Sequence, residues 1–232
     1  MTNTTSKSNS DSLIISYLSL RVVVGILGII IPIVLIMGSN LFFNCSKVNE
    51  SISAYYHTGM RDVFVGSISA IAVFLFSYKG YDRIDAIVGN LASISAIGVA
   101  LFPSSYFGIK TSCISKHIDS GIFDFLHEIS AAVLFLMLAY FSYFLFTKSS
   151  GNPTSRKLKR NLVYRICGVV IVFCILGIII YVFCLRSAYP DLRVWNPIFC
   201  LESIALWAFG ISWLTKGEMI LADLEANKYT QS

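Results

Sequence analysis

Six long apolar segments, Tyr17–Phe43, Met60–Tyr78, Ala86–Phe102, Gly121–Phe146, Leu162–Leu185 and Pro197–Leu214, account for most of this 232-residue chain. Each is close to the roughly 20 apolar residues that a helix needs to cross a hydrocarbon core about 30 Å thick. Hydrophobic residues make up 56% of the chain and charged ones 13%, which sets it apart from soluble domains. No alternating pattern of the transmembrane-barrel kind is present, so each span has to satisfy its backbone polar groups within its own helix. The expected fold is an all-α polytopic membrane protein, a bundle of six transmembrane helices over residues 17–215. A polar tail, residues 1–16, is expected to be disordered at its start. A second tail, residues 216–232, alternates charged and apolar residues and can form a short interfacial helix.

The first apolar run is too long for the core of a signal peptide and lacks a small-residue cleavage pattern, so it is read as a helix. Pro32 sits in its middle and removes one backbone donor, which a neighbouring helix has to offset. With the N-terminus inside, 12 of the 18 basic residues fall on the inner side, and the connection around Lys148, Arg156, Lys157, Lys159, Arg160 and Arg165 decides the bias. Both termini are therefore expected to be cytoplasmic. The net charge of +5 reflects topology and anionic lipid, with membrane lipids as partners and no nucleic acid. Trp195, Trp207 and Trp213 are expected to act as interfacial anchors of the last helix. The charged turn from Lys79 to Asp85 is expected to be solvated.

This topology places Cys45 and Cys113 in outer loops and Cys184 and Cys200 near outer helix ends. Disulfides Cys45–Cys113 and Cys184–Cys200 are one of three pairings that four cysteines permit. Cys167 and Cys174 read as apolar packing residues.

Candidate chemistry collects at the outer ends of the even-numbered helices. Asp62, Asp124 and Glu128 lie in or near first turns, where negative charge is favoured by the helix dipole. Glu202 lies deeper in its helix, where facing lipid would be costly, so it is expected to face the bundle interior or a watery cavity. Asp124 shares a helix face with His127 at i, i+3 and with Glu128 at i, i+4. Ser53, His57 and Arg61 align at i, i+4 if their segment is helical. His117 lies in the second outer loop.

Three readings follow. The first is a binding or structural protein with a polar, acidic, histidine-containing outer pocket, favoured because no catalytic, metal or nucleotide motif is complete. The second is a metal-dependent lipid hydrolase holding zinc through His57, His127 and Glu202. The third is a small proton- or cation-coupled transporter relaying through Glu128 and Glu202.

Two resemblances bear on these readings. Ser53 and His57 resemble one element of the membrane hydrolase superfamily of alkaline ceramidases and adiponectin receptors, which implies a zinc-binding histidine. That superfamily has seven helices and an HxxxH in the last, whereas this chain has six segments and no HxxxH. Over nearly its whole length, through SISAYYHTGMRDVFVG at Ser51–Gly66, FLFSYKGYD at Phe74–Asp82, GVALFP at Gly98–Pro103 and the stretch from Leu201 to Glu218, the chain resembles a group of bacterial multi-pass membrane proteins classed as a domain of unknown function. That likeness implies a six-helix bundle in a bacterial inner membrane and transfers no activity.

Overall fold

The computed structural model describes residues 3–78, 82–104, 113, 121–149 and 151–221, with side chains from residue 17 onward. The described residues hold helices and no strand: α1 (Asn3–Phe43), α2 (Arg61–Phe76), α3 (Arg83–Leu101), α4 (Gly121–Tyr140), α5 (Ser155–Ile180), the short α6 (Arg186–Ala188) and α7 (Pro197–Lys216). Among the described residues, five stretches are long and apolar enough to cross a membrane: Tyr17–Phe43, Arg83–Leu101, Gly121–Leu145, Ser155–Ala188 and Pro197–Lys216. α2 has only 16 residues, about 24 Å at 1.5 Å per residue, and falls short of a full crossing on its own. The residues expected to be a disordered tail are helical from Asn3, because once the apolar run is helical each further residue adds a hydrogen bond without new nucleation.

Each long helix packs on its chain neighbour, and α7 lies against both α5 and α1, which closes the bundle. The α1–α7 crossing depends on two glycines. A Cβ on Gly25 would meet the Gly210 carbonyl at 2.9 Å, and one on Gly210 would meet the Gly25 carbonyl at 2.7 Å. Small residues at such a crossing let the two backbones approach, as in membrane helix pairs generally. Above it, Pro32 leaves the carbonyl one turn earlier without its N–H partner, and Trp207 Nε1 of α7 donates to the adjacent Ile29 carbonyl at 3.1 Å. Replacing Trp207 by phenylalanine keeps the ring and removes this donor. A loss of about 1 kcal/mol is expected, read as a lower thermal midpoint in detergent.

Polarity runs opposite to that of a soluble protein. Large apolar residues such as Leu41, Phe42, Val73, Ile94, Phe173 and Phe183 are exposed, while Ser39, Ser93, Ser142, Ser212, Asp85 and Glu202 are buried. Buried polar groups inside an apolar shell suit a bilayer surround. At its C-terminal end, α4 continues into a π-helical turn, Phe141–Leu145, which closes with Phe146 N donating to Phe141 O. The extra residue in that turn lets Phe141, Leu145 and Phe146 all face inward. Ring centroids link Tyr78 to Phe141 at 5.0 Å, Phe146 to Trp213 at 5.3 Å, Phe146 to Tyr164 at 5.5 Å and Phe209 to Trp213 at 5.7 Å. Trp213 is therefore a core residue and Trp207 a hydrogen-bond donor to α1. Of the three tryptophans expected as anchors, Trp195 and Trp207 are exposed and Trp213 is buried.

The turn before α3 also differs from the solvated one expected. Asp82 caps α3, its Oδ1 accepting from the amides of Ile84 at 2.9 Å and Asp85 at 3.1 Å. Lys148 then donates to Asp82 Oδ2 at 2.9 Å and to the fully buried Asp85 Oδ1 at 2.5 Å. Pairing wins over solvation because Asp85 has no access to water. Asp85 and, less strongly, Asp82 hold the Lys148 ammonium above the usual lysine range, and Lys148 first, then the capped amides, hold Asp82 below the usual carboxylate range. The lysine part of this clasp is whole below about pH 10.4 and is lost as pH rises through the raised value. The Asp82 part is whole above about pH 3.9 and is lost as pH falls through the lowered one. Lys148→Met is expected to cost about 2 kcal/mol at neutral pH and to remove the alkaline decline in thermal midpoint that is expected of the wild-type protein.

Candidate functional site

Several of the candidate residues surround one segment that turns back into the bundle, a re-entrant segment. α1 ends where Asn44 takes a left-handed φ of 52°, a conformation asparagine tolerates better than most residues. The chain then turns into the bundle as a 3₁₀ turn, Ser53–His57, in which all five residues are buried. Ser51 Oγ accepts from Ala54 N at 2.9 Å ahead of the turn. Thr58 ends it: its backbone is extended, and its hydroxyl donates to the Tyr55 carbonyl and accepts from Met60 N. The i, i+4 alignment of Ser53, His57 and Arg61 is therefore not formed. A 3₁₀ turn eclipses i with i+3, and Thr58 and Gly59 break the path before α2. Any Cβ on Gly59 would run into the Phe43 ring.

Several posts hold this segment. Ile52 N–H donates to Glu202 Oε2 at 2.5 Å, so the carboxyl of α7 caps the turn from inside the bundle. Phe199 N–H, an otherwise unpaired donor at the start of α7, donates to Glu50 O at 3.0 Å, and Asn196 Nδ2 donates to Val48 O at 3.2 Å. On the opposite side His57 Nε2 donates to Ser104 O at 2.7 Å, and Tyr56 OH donates to Leu101 O at 3.3 Å. Arg61 donates to Tyr56 OH at 2.9 Å and lies 4.6 Å over that ring. Cys45 and Cys113 are joined by a disulfide, with Cα atoms 5.8 Å apart, which ties the segment to the α3–α4 connection. Cys184 and Cys200 are free and exposed, so the second expected disulfide is not formed. The two thiols belong to different elements, the π-helical turn Tyr181–Leu185 after α5 and the first turn of α7.

His127 of α4 belongs to the same region. Its Nδ1 lies 2.9 Å from the Phe102 carbonyl, and because a carbonyl only accepts, Nδ1 carries a hydrogen, which leaves Nε2 as the acceptor of the ring in its neutral form. That Nε2 is buried and has no hydrogen-bond partner, and the same holds for Asp124 Oδ1, Ser104 Oγ and Tyr55 OH. Burial pushes the Tyr55 phenol up, against smaller opposing contributions from Asn49, so it stays neutral. Asp62 is exposed on the first turn of α2 and lies apart from these groups. Glu128 is exposed on α4, within electrostatic reach of Arg186 and Glu202.

The structure thus gathers Ser53, His57, His127 and Glu202 around the re-entrant turn, turns Arg61 onto Tyr56, and leaves Asp62 outside. Tyr55, Tyr56 and Ser104 are the site residues that spacing did not single out. Flanking His57 and following the Gly98–Pro103 stretch were their only signals. Among the described residues no three His, Cys, Asp or Glu side chains converge on a common point. His57 and His127 each commit one ring nitrogen to a backbone carbonyl, and Glu202 commits one oxygen to the Ile52 amide. His117 lies outside the described residues. Compared with known proteins, the chain matches no family model, no curated protein and no solved structure.

Proposed function

We propose that the protein is a six-span membrane protein with a binding role, both termini cytoplasmic, in a bacterial inner membrane, and that its outer end recognises a small cation or protonated amine. Six spans need α2 to cross, and the buried turn that precedes it supplies the missing depth. The concentration of basic residues between α4 and α5 supports the orientation.

The observation that carries the ligand class is the pair of buried acceptors without partners, Asp124 Oδ1 and His127 Nε2, about one helical turn apart on α4. A buried acceptor with no donor costs roughly 1–3 kcal/mol, and a ligand bearing N–H groups or positive charge recovers that loss. The acid and base candidates of a hydrolase act here as posts for a backbone segment. The packed rings of Tyr78, Phe141, Phe146, Tyr164 and Trp213 occupy the inner half, where a transporter needs a polar path.

Thermal unfolding of the detergent-purified protein, titrated with methylammonium, choline and the alkali cations, tests this. A cation at about 100 times its dissociation constant raises stability by about 2.7 kcal/mol. That gain is expected to vanish in Asp124→Asn and to shrink in His127→Phe. No shift from any of these cations, or an equal shift in both variants, removes the reading.

A further inference from the structure

The connection between α5 and α7 is structured, rich in large apolar side chains and almost uncovered. Every residue from Ser187 to Trp195 is exposed, with Val194 at 82%, Trp195 at 76% and Tyr189 at 59%. After α6 the chain forms a 3₁₀ turn, Pro190–Trp195, in which Leu192 N donates to Tyr189 O at 3.2 Å and Asn196 N to Arg193 O at 3.0 Å. Three residues complete a 3₁₀ turn, so side chains three apart lie one above the other. Tyr189, Leu192 and Trp195 therefore form one apolar stripe, and Arg193 stands on a different face. The bundle covers little of that stripe, so packing within the chain gives no reason for it.

Charge places the stripe at the edge of the membrane. Arg165 and Arg186 bracket Ile166–Leu185, twenty residues without a charged side chain, which is the length that crosses a hydrocarbon core. α7 starts at Pro197, so the turn lies between two crossings, at the level of the headgroups. The apolar surface is continuous as well: Phe173, Ile180 and Phe183 are exposed along the end of α5 that leads to the turn. Hydrogen bonds fix the height of the turn against the bundle, since just beyond it Asn196 Nδ2 donates to Val48 O at 3.2 Å and Phe199 N to Glu50 O at 3.0 Å. Tyrosine and tryptophan suit such a boundary, where the ring meets hydrocarbon and its polar edge meets water. Arginine there keeps its charge among the headgroups.

We propose that Tyr189, Leu192 and Trp195 dock onto the bilayer itself, and that the Pro190–Trp195 turn lies in the boundary between headgroups and acyl chains as an interfacial element. The partner of the stripe is a lipid surface rather than a second copy of the chain or another protein. The proposal rests on α5 and α7 crossing the membrane. It is independent of what the candidate site binds and of which way the bundle faces.

The test is a scan of single nitroxide labels over residues 189–195 of the full chain, in liposomes of equal parts phosphatidylcholine and phosphatidylglycerol. The background is Cys184→Ser, Cys200→Ser, in which the remaining free thiols, Cys167 and Cys174, are buried. Collision with oxygen reports hydrocarbon, and collision with a water-soluble nickel chelate reports solvent. Labels at Tyr189→Cys, Leu192→Cys and Trp195→Cys are expected to favour oxygen, about 5–10 Å into the boundary, and one at Arg193→Cys to favour nickel. A label at Phe173→Cys, on the exposed face of α5, is the control for crossing. Nickel access at Phe173 removes the membrane crossing of α5 and the proposal with it. With Phe173 in hydrocarbon, nickel access throughout 189–195 overturns the proposal alone. Low access to both reagents at Tyr189, Leu192 and Trp195 also overturns it, in favour of a protein contact.

Discussion

Glu202→Leu is expected to destabilise the protein by about 3 kcal/mol and Glu202→Gln by much less. The carboxyl oxygen accepts the Ile52 amide at 2.5 Å, and the Ser53 amide is directed at it as well. Leucine fills a similar volume but leaves buried amides without an acceptor, and the full desolvation cost then falls on them. Glutamine keeps an acceptor oxygen at the same reach. The contrast separates an anchor from a relay, since a proton relay through this side chain would fail equally in both variants. Thermal midpoints of the three proteins in the same detergent decide it: L well below Q, and Q near wild type. A glutamine variant as unstable as the leucine one would contradict the capping role.

The largest effect is expected from the disulfide. Cys45 and Cys113 are separated by 68 residues, and closing a loop of that length restricts the unfolded chain by about 4 kcal/mol in the chain-entropy treatment. Here the bond also fixes the start of the re-entrant segment to the connection after α3. Cys45→Ser is expected to lower the thermal midpoint by more than any other single change described above, and reduction of wild type with dithiothreitol should reproduce it. Cys184→Ser and Cys200→Ser, which alter free exposed thiols, should leave the midpoint unchanged. A Cys45→Ser protein as stable as wild type would show that hydrogen bonds alone seat the segment.

What was legible in the chain was whatever depends on composition over a full helix length. The apolar runs located the long helices to within a few residues, because crossing length and side-chain hydropathy act on every residue of a span. The burial of Glu202 was legible too, since a carboxylate deep in an apolar helix has few places to go. The re-entrant turn was not. Ser53, His57 and Arg61 have helical spacing, and the break comes from Thr58 bonding its own backbone and from Phe43 packing on Gly59, both of which need the folded neighbourhood. The π-helical turns left no signal, because a single inserted residue changes hydrogen bonding without changing composition. Trp213 reads as an interfacial anchor by position and becomes core because Tyr78, Phe141 and Phe146 converge on it. The unpaired states of Tyr55, Ser104 and His127 Nε2 are properties of tertiary placement, and no local pattern announces them.

The most direct measurement is amide hydrogen exchange, read by mass spectrometry over residues 51–60 of the detergent-solubilised protein. With the turn seated inside the bundle and its amides bonded to Glu202, Ser51 and Thr58, exchange there should be as slow as in the middle of α7, and it should accelerate in Glu202→Leu. Exchange at the rate of a solvated loop in wild type would mean that the segment lies outside the bundle, and the proposed recognition site built around it would fall with it.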